Sequence, residues 1–491
     1  VQKETDWLHH RSTLTPEKVA VIDGDNHKQW TYEELHERAE NYAVYLQENG
    51  VAKGDRIALL SSNHICYFDL LFACSKIGAI FVPLNWRLAK EELSYILQDC
   101  TPTLLFYHSD FSEVVTFLNV NRTININKAI LEGKKSYLKV NVIQSDPAAI
   151  IYTGGTTGKP KGVVLTHQNI HCNAVNTVVS WQLKDSDTTA VFLPMFHTGG
   201  LNALAIPILL IGGTVVLTKK FEPTTAIRML NDYKCTIALL VPTMYHLIVK
   251  TSAFSHTSFP TMHTFLSGGA PCPLTIYREF EKKGLSFKEG YGLTEAGPNN
   301  FYISPKDALK KRGSVGKPML YNEVKLIADD GKDVQSSEVG EIIIRGGHVF
   351  SHYWNNENAT SATLVNGWLH TGDLARKDEE GYYYIVGRKK EMIITGGENV
   401  FPLEIEHILS QHDAVDEVAI IGLPDEKWGE VVTAIIVPSA EKVLSIEEVQ
   451  KYCAEKLGKY KVPKKVVFTE KMPKTDVGKI DKKAIYHLYS Y

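Results

Sequence analysis

Between Thr31 and Leu60 the chain changes its apolar period, and that change limits the folds open to it. Leu35, Ala39, Tyr42, Ala43 and Leu46 recur at helical spacing, Thr31 and Glu34 stand at the two positions of a capping box, and Gly50 follows as a stop. The run "RIALLS" from Arg56 then reads as a strand. The same alternation of helix and apolar strand recurs around "VFLPM", "GTVVLTKKF", "IALLVP" and "HTFLSGG". It predicts a layered α/β domain whose strands are covered by helices. With 491 residues the chain has room for two or more domains. After Arg376 a charged stretch leads to a smaller unit: a helix opened by Pro402, strand-like "EVAIIGL" and "VVTAIIVP", and a helix from a second capping box, Ser445 and Glu448, through Leu457. A boundary at Arg388 to Lys390 is expected to separate a large multi-layer α/β domain, residues 1–388, from a small α+β domain, residues 389–491.

Charge and cysteine usage exclude several classes of function. Lys and Arg total 53 against 56 Asp and Glu, a net charge of -3, so no bulk field draws the chain to nucleic acid or an anionic membrane. The 7 cysteines are scattered, without a C-x-x-C pair, so neither a zinc site nor a disulfide framework is indicated. That pattern suits a reducing cytoplasm, and the polar start "VQKETDWLHH" does not read as a signal peptide. The apolar run from Gly199 to Leu217 approaches the length of a membrane span, but Gly212 and Gly213 cut it into a helix-sized and a strand-sized piece.

Chemistry concentrates in a few short segments. "YTGGTTGKPKG", from Tyr152 to Gly162, lies between two apolar strands and combines glycines with Thr153, Thr156, Thr157, Lys159 and Lys161. Backbone amides and hydroxyls of such a loop can converge on phosphate oxygens. A plain hairpin turn accounts for the glycines but not for the hydroxyls and lysines. The nucleotide P-loop pattern fails at Thr153 and Pro160, so no hydroxyl after the lysine holds a metal. "EGYGLTEAG" supplies Thr294 for a phosphate and Glu295 for Mg2+, although a solvated Thr-Glu at a helix start fits the same letters. Asp373 in "TGD" is a natural acceptor for ribose hydroxyls, Arg388 follows a glycine in "VGRKK", and Lys479 stands in "GKI", where an isolated lysine reads as a surface charge.

Taken in order, the cradle, "SGGAPCP", "GYGLTE", "TGD", "GR" with "GGENVFP", and "GKI" resemble the adenylate-forming enzymes: acyl-CoA and aryl-CoA synthetases, luciferases and peptide-synthetase adenylation domains. "GLPDEKWGE" and "YKVPKKVVF" are similar to the C-terminal domain of bacterial fatty-acid–CoA ligases. The resemblance implies ATP, Mg2+ and CoA as reactants and cofactor. It implies that Thr153, Gly154, Gly155, Thr156, Thr157, Gly158 and Lys161 wrap the phosphates, Thr294 meets the α-phosphate and Glu295 holds Mg2+. Gly269, Ala270, Tyr291 and Gly292 are then an adenine slot, Asp373 and Arg388 take the ribose, and His197 lies beside the acid. Lys479 becomes the mobile catalytic lysine and Lys390 the hinge, with Gly396, Gly397, Trp428 and Lys464 toward CoA. A packed Trp428 and a solvated Lys464–Lys465 pair fit those last positions equally. Gly154, Glu289 and Lys390 depart from the commoner Ser, amide and Asp. The implied reaction joins a medium- or long-chain fatty acid to CoA through an acyl-adenylate. Aryl-acid ligation, loading of a carrier protein, and a nucleotide-binding module without catalysis are the alternatives. Monomer and homodimer, and peripheral contact with a membrane, stay open.

Overall fold

The computed structural model describes residues 5–128, 136–154, 159–439, 442–475 and 478–490. Two seven-stranded sheets form the body of the large unit. One runs Phe287–Glu289, Thr264–Ser267, Ile237–Leu240, Thr188–Val191, Thr214–Leu217, Val19–Asp23, Gln29–Thr31, and all its neighbours are parallel except the last pair. The other runs His352–Tyr353, Lys161–Thr166, Pro147–Thr153, Ile80–Pro83, Arg56–Leu60, Leu104–Tyr107, Thr123–Asn125. The strand expected over "VFLPM" ends at Val191, and Phe192 to Met195 turn away from the sheet toward His197.

Helix Tyr32–Glu48 has the expected capping box: Thr31 Oγ1 accepts from Glu34 N, and Glu34 Oε2 accepts from Thr31 N at 2.8 Å. Its apolar face and helix Cys66–Ile77 enter one core that also takes in helix Ala205–Ile211. The Tyr32 hydroxyl, buried there, reaches the Leu209 and Gly213 carbonyls at 3.1 and 2.6 Å and closes that helix's C-terminal turn. The run from Gly199 is therefore interior packing: helices Thr198–Leu201 and Ala205–Ile211, then strand Thr214–Leu217. Among the described residues, no helix is long and apolar enough to cross a membrane.

A third, antiparallel sheet of five strands lies between residues 323 and 388, ending in the hairpin of Trp368–Lys377 with Tyr383–Arg388. The last sheet takes all its strands from residues 393–468, around the long hairpin Val415–Asp425 and Gly429–Pro438. Helices Pro402–Leu409 and Ile446–Ala454 cover one face of it, and Ile485 of helix Lys482–Tyr489 enters a second cluster with Met472. The second capping box is present, with Ser445 accepting from Glu448 N, but this helix stops at Ala454, short of Leu457. The molecule is thus an α/β protein with a large N-terminal domain and a smaller C-terminal one.

Candidate active site

The cradle segment is flanked by two paired strands. Strands Pro147–Thr153 and Lys161–Thr166 pair antiparallel, with Thr153 opposite Lys161. Below that pair the Tyr152 hydroxyl donates to Asp99 Oδ2 at 2.5 Å, and Trp354 Nε1 donates to the Asp99 carbonyl at 3.2 Å. Gly155, Thr156, Thr157 and Gly158 lie outside the described residues. A Cβ at Gly154 would meet nothing within 4 Å, so the Gly-for-Ser departure does not come from lack of room.

Glu295 sits in a short turn, Thr294–Ala296, instead of a solvated helix start, and Thr294 is buried. Phe350 N donates to the Glu295 carbonyl and the Tyr353 hydroxyl to Glu295 Oε1, both at 2.8 Å. Among the described residues no three His, Cys, Asp or Glu side chains cluster as a metal cage. A single carboxylate suits Mg2+, which keeps most of its shell for water and phosphate oxygens, so Glu295 beside the cradle hairpin fits that ion.

Asp373 and Arg388 face each other in register on adjacent strands, with Arg388 Nε 2.9 Å from Asp373 Oδ1. The Tyr291 hydroxyl donates to the other carboxylate oxygen at 2.7 Å. Burial lifts the Asp373 carboxyl, and the Arg388 guanidinium pulls it back; the same carboxylate holds the guanidinium above its ordinary value. The corner is paired before any ligand arrives, which spares a ligand the cost of organising it.

Lys479 enters this corner from the small domain. Its loop is closed by Thr475 N donating to the Lys479 carbonyl at 2.7 Å and Lys479 N to Thr475 Oγ1 at 3.2 Å. The lysine stem lies on Gly269: a Cβ there would stand 3.2 Å from Lys479 Cε and 3.6 Å from Nζ, and φ of Gly269 is +83°. Burial, and then the Arg388 charge, depress the Lys479 ammonium, while Asp373 favours it. His197, leading into helix Thr198–Leu201, is pushed down to about 4 by burial and then by Lys479, so its imidazole is neutral. Lys479, Asp373, Arg388, Tyr291, Gly269 and His197 therefore converge.

Glu289 turns out to brace this region. Its buried carboxyl accepts from Cys272 N at 3.1 Å and from the Tyr277 hydroxyl at 2.6 Å, tying the segment after Gly269–Ala270 to the strand that runs into Tyr291 and Gly292. Both bonds need only acceptor oxygens, so a carboxyl serves where the family pattern has an amide. Burial without a cation pushes it up to about 7.

Gly396, Gly397, Trp428 and Lys464 form a separate group on the small sheet. Gly396 N donates to the Trp428 carbonyl at 2.9 Å, and a Cβ at Gly396 would stand 2.9 Å from the indole. Lys464 Nζ lies 3.3 Å from the Trp428 ring centroid, so the tryptophan is both packed and, at 37%, exposed. Lys390 lies in the turn Lys389–Glu391, between the last strand of the third sheet and the first of the small sheet, where Lys389 Nζ reaches Asp329 at 2.7 Å and Glu341 at 3.5 Å. Sequence reasoning passed over Tyr353 and Glu341. Tyr353 stands 58 residues from its carboxylate partner, so nothing local in the sequence couples the two.

This arrangement has counterparts among known proteins. The family described as AMP-binding enzyme matches residues 8–354, and its C-terminal domain matches residues 404–479. The chain is 37% identical over 477 residues to a feruloyl-CoA synthase of Amycolatopsis sp, covering 96% of each. It is 34% identical over 500 residues to the long-chain-fatty-acid–CoA ligase FadD13 of Mycobacterium tuberculosis, covering 99% of each. Among solved structures it is similar to the o-succinylbenzoate CoA synthetase of Bacillus subtilis in complex with its acyl-adenylate intermediate, with a TM-score of 0.89, 32% identity, and 99% and 98% of the two chains covered. The chain belongs to the AMP-binding enzyme family, the adenylate-forming superfamily that its ordered motifs resemble, and is a ligase of the acyl-CoA synthetase class.

Proposed function

We propose that the chain activates a hydrophobic carboxylic acid with Mg-ATP as an acyl-adenylate and passes the acyl group to CoA, releasing AMP and pyrophosphate. The observation that carries this reading is the convergence of Lys479, on a loop of the small domain, with Asp373, Arg388 and Gly269 of the large one. A carboxylate acylates poorly because hydroxide is a poor leaving group. Attack of its oxygen on the α-phosphorus makes a mixed anhydride whose leaving group is AMP. Thr294 and Lys479 face the charge that grows on the phosphoryl oxygens, and Asp373 with Arg388 and Tyr291 hold the ribose end still. Mg2+ bound with ATP at Glu295 would neutralise charge on the phosphate oxygens. His197, neutral beside Lys479, lines the acid's carboxylate end without adding charge.

The thiol must then reach the acyl carbon that Lys479 covers. In this reading residues 389–491 swing about Lys390, withdraw the lysine and bring Gly396–Gly397 to the site. A Cβ at Gly397 would meet nothing within 4 Å, leaving room there for a pantetheine arm. Trp428 and Lys464 flank that path.

For the acid, the apolar run from Gly199 suggested a medium- or long-chain fatty acid. Since helix Ala205–Ile211 packs into the main core, the run supports an apolar acid without setting its length. A fatty acid is the first candidate. An aryl acid is the second, favoured by the feruloyl-CoA synthase relative. Pyrophosphate release and thioester mass, measured across octanoate, palmitate, ferulate, benzoate and succinylbenzoate with and without CoA, test both. Acid-dependent release with a CoA thioester supports the ligase and names its acid; release indifferent to CoA points to a carrier protein, and ATP binding without release to a module that lacks catalysis.

A further inference from the structure

The segment from Phe350 to Tyr353 grips Glu295 at two points. Phe350 N holds the Glu295 carbonyl and the Tyr353 hydroxyl holds Glu295 Oε1, each at 2.8 Å. Strand His352–Tyr353 pairs antiparallel with Lys161–Thr166, placing Tyr353 opposite Val163, two residues beyond Lys161. The Lys161 ammonium consequently lies over the Tyr353 ring, 4.2 Å from its centroid. Phe350 packs on that ring at 4.8 Å, and Tyr353 N donates to Thr360 Oγ1 at 2.9 Å, so the tyrosine is fixed from three sides.

We propose that Tyr353 is a positioning residue for the metal carboxylate: its hydroxyl fixes Glu295 Oε1 so that Oε2 faces the cation bound with the nucleotide phosphates, while its ring seats the Lys161 ammonium. This rests on the assignment of Glu295 to Mg2+. A neutral phenol is the right donor for the task, because a lysine or arginine in its place would cancel the charge that the cation needs. A phenol's ordinary value of about 10 keeps it a protonated donor through the neutral range. The ring has a complementary part. An ammonium on its π-face is held for the phosphates without being drawn into an ion pair with Glu295. One side chain thereby touches two groups of opposite charge, the Glu295 carboxylate through its hydroxyl and the Lys161 ammonium through its ring.

The test uses the full-length enzyme with Tyr353→Phe, Glu295→Gln and the double variant. Mn2+ affinity is read by electron paramagnetic resonance with a non-hydrolysable ATP analogue, alongside the Mg2+ midpoint of pyrophosphate exchange. Tyr353→Phe keeps the ring and its packing, and is expected to weaken Mn2+ binding and raise the Mg2+ midpoint by about 10-fold, the scale of one hydrogen bond to a charged group. Thioester formation from supplied acyl-AMP should stay at the wild-type rate. In the Glu295→Gln background, Tyr353→Phe should add no more than about 2-fold, because its action passes through the carboxylate. Tyr353→Leu, which also removes the seat of Lys161, should further weaken ATP at saturating metal. Wild-type metal affinity in Tyr353→Phe, or effects that multiply in the double variant, would overturn the proposal. Unchanged metal affinity in Glu295→Gln would instead overturn the Glu295 assignment, and this proposal with it.

Discussion

Two groups of glycine, lysine and aromatic side chains occupy the molecule, and they differ in burial and in pairing. Around Lys479 the half-buried side chain lies on Gly269, and Tyr291, Asp373 and Arg388 are already bonded to one another. Around Lys464 the ammonium lies on a half-exposed Trp428 beside Gly396 and Gly397. The first arrangement suits a step in which charge develops among groups already held in place. The second suits a long substrate arm that arrives and leaves. The same residue types serve either purpose, and the surrounding packing decides which.

Lys479→Ala would break the comparison most directly: adenylation should fall by about 100-fold or more, while thioester formation from supplied acyl-AMP is largely kept. Equal loss in the two half-reactions would dissolve the distinction between the groups. His197 sharpens it through pH. Its folded value, about 4, lies below the ordinary 6.5, so between those limits the unfolded chain binds the extra proton and stability falls as pH drops from 6.5 toward 4. Its share is at most about 3 kcal/mol. In His197→Gln, urea midpoints at pH 7 and pH 5 should lie closer together than in the parent.

Asp373→Asn keeps the shape of the buried corner but weakens its grip on Arg388 and on ribose hydroxyls. KM for ATP should rise about 30-fold, with far less change in the KM for CoA. Gly396→Ala addresses the other group. The added methyl meets the Trp428 ring at 2.9 Å and forces φ of +60° on an alanine, so thioesterification should slow about 10-fold with pyrophosphate exchange intact. Lys464→Ala should be mildest, raising KM for CoA about 3-fold through one exposed cation.

The large domain was legible because its signals are local: the Thr31–Glu34 box, Gly50 and Gly212 as stops, and the apolar strands at Arg56, Thr214 and Thr264. The run "VFLPM" misled because an apolar segment inside the core needs no strand partners; it ends its pairing at Val191 and bends toward the site. Asp373 and Arg388 were readable as separate motifs, whereas their pairing follows from hairpin register. Tyr353 was not readable, since "SHYWNNENAT" has no pattern of its own and the residue's role comes from two neighbours distant in sequence.

No disulfide joins any of the 7 cysteines, and all but Cys172 are buried. Burial pushes the thiols of Cys66, Cys74, Cys100, Cys235, Cys272 and Cys453 upward, away from the reactive thiolate. A cysteine introduced on the surface of each domain would outpace those six toward a maleimide dye, with Cys172→Ser removing the remaining competitor. The chain therefore brings its own dark background for fluorescence, in which a donor and an acceptor would show whether the small domain travels during a single turnover.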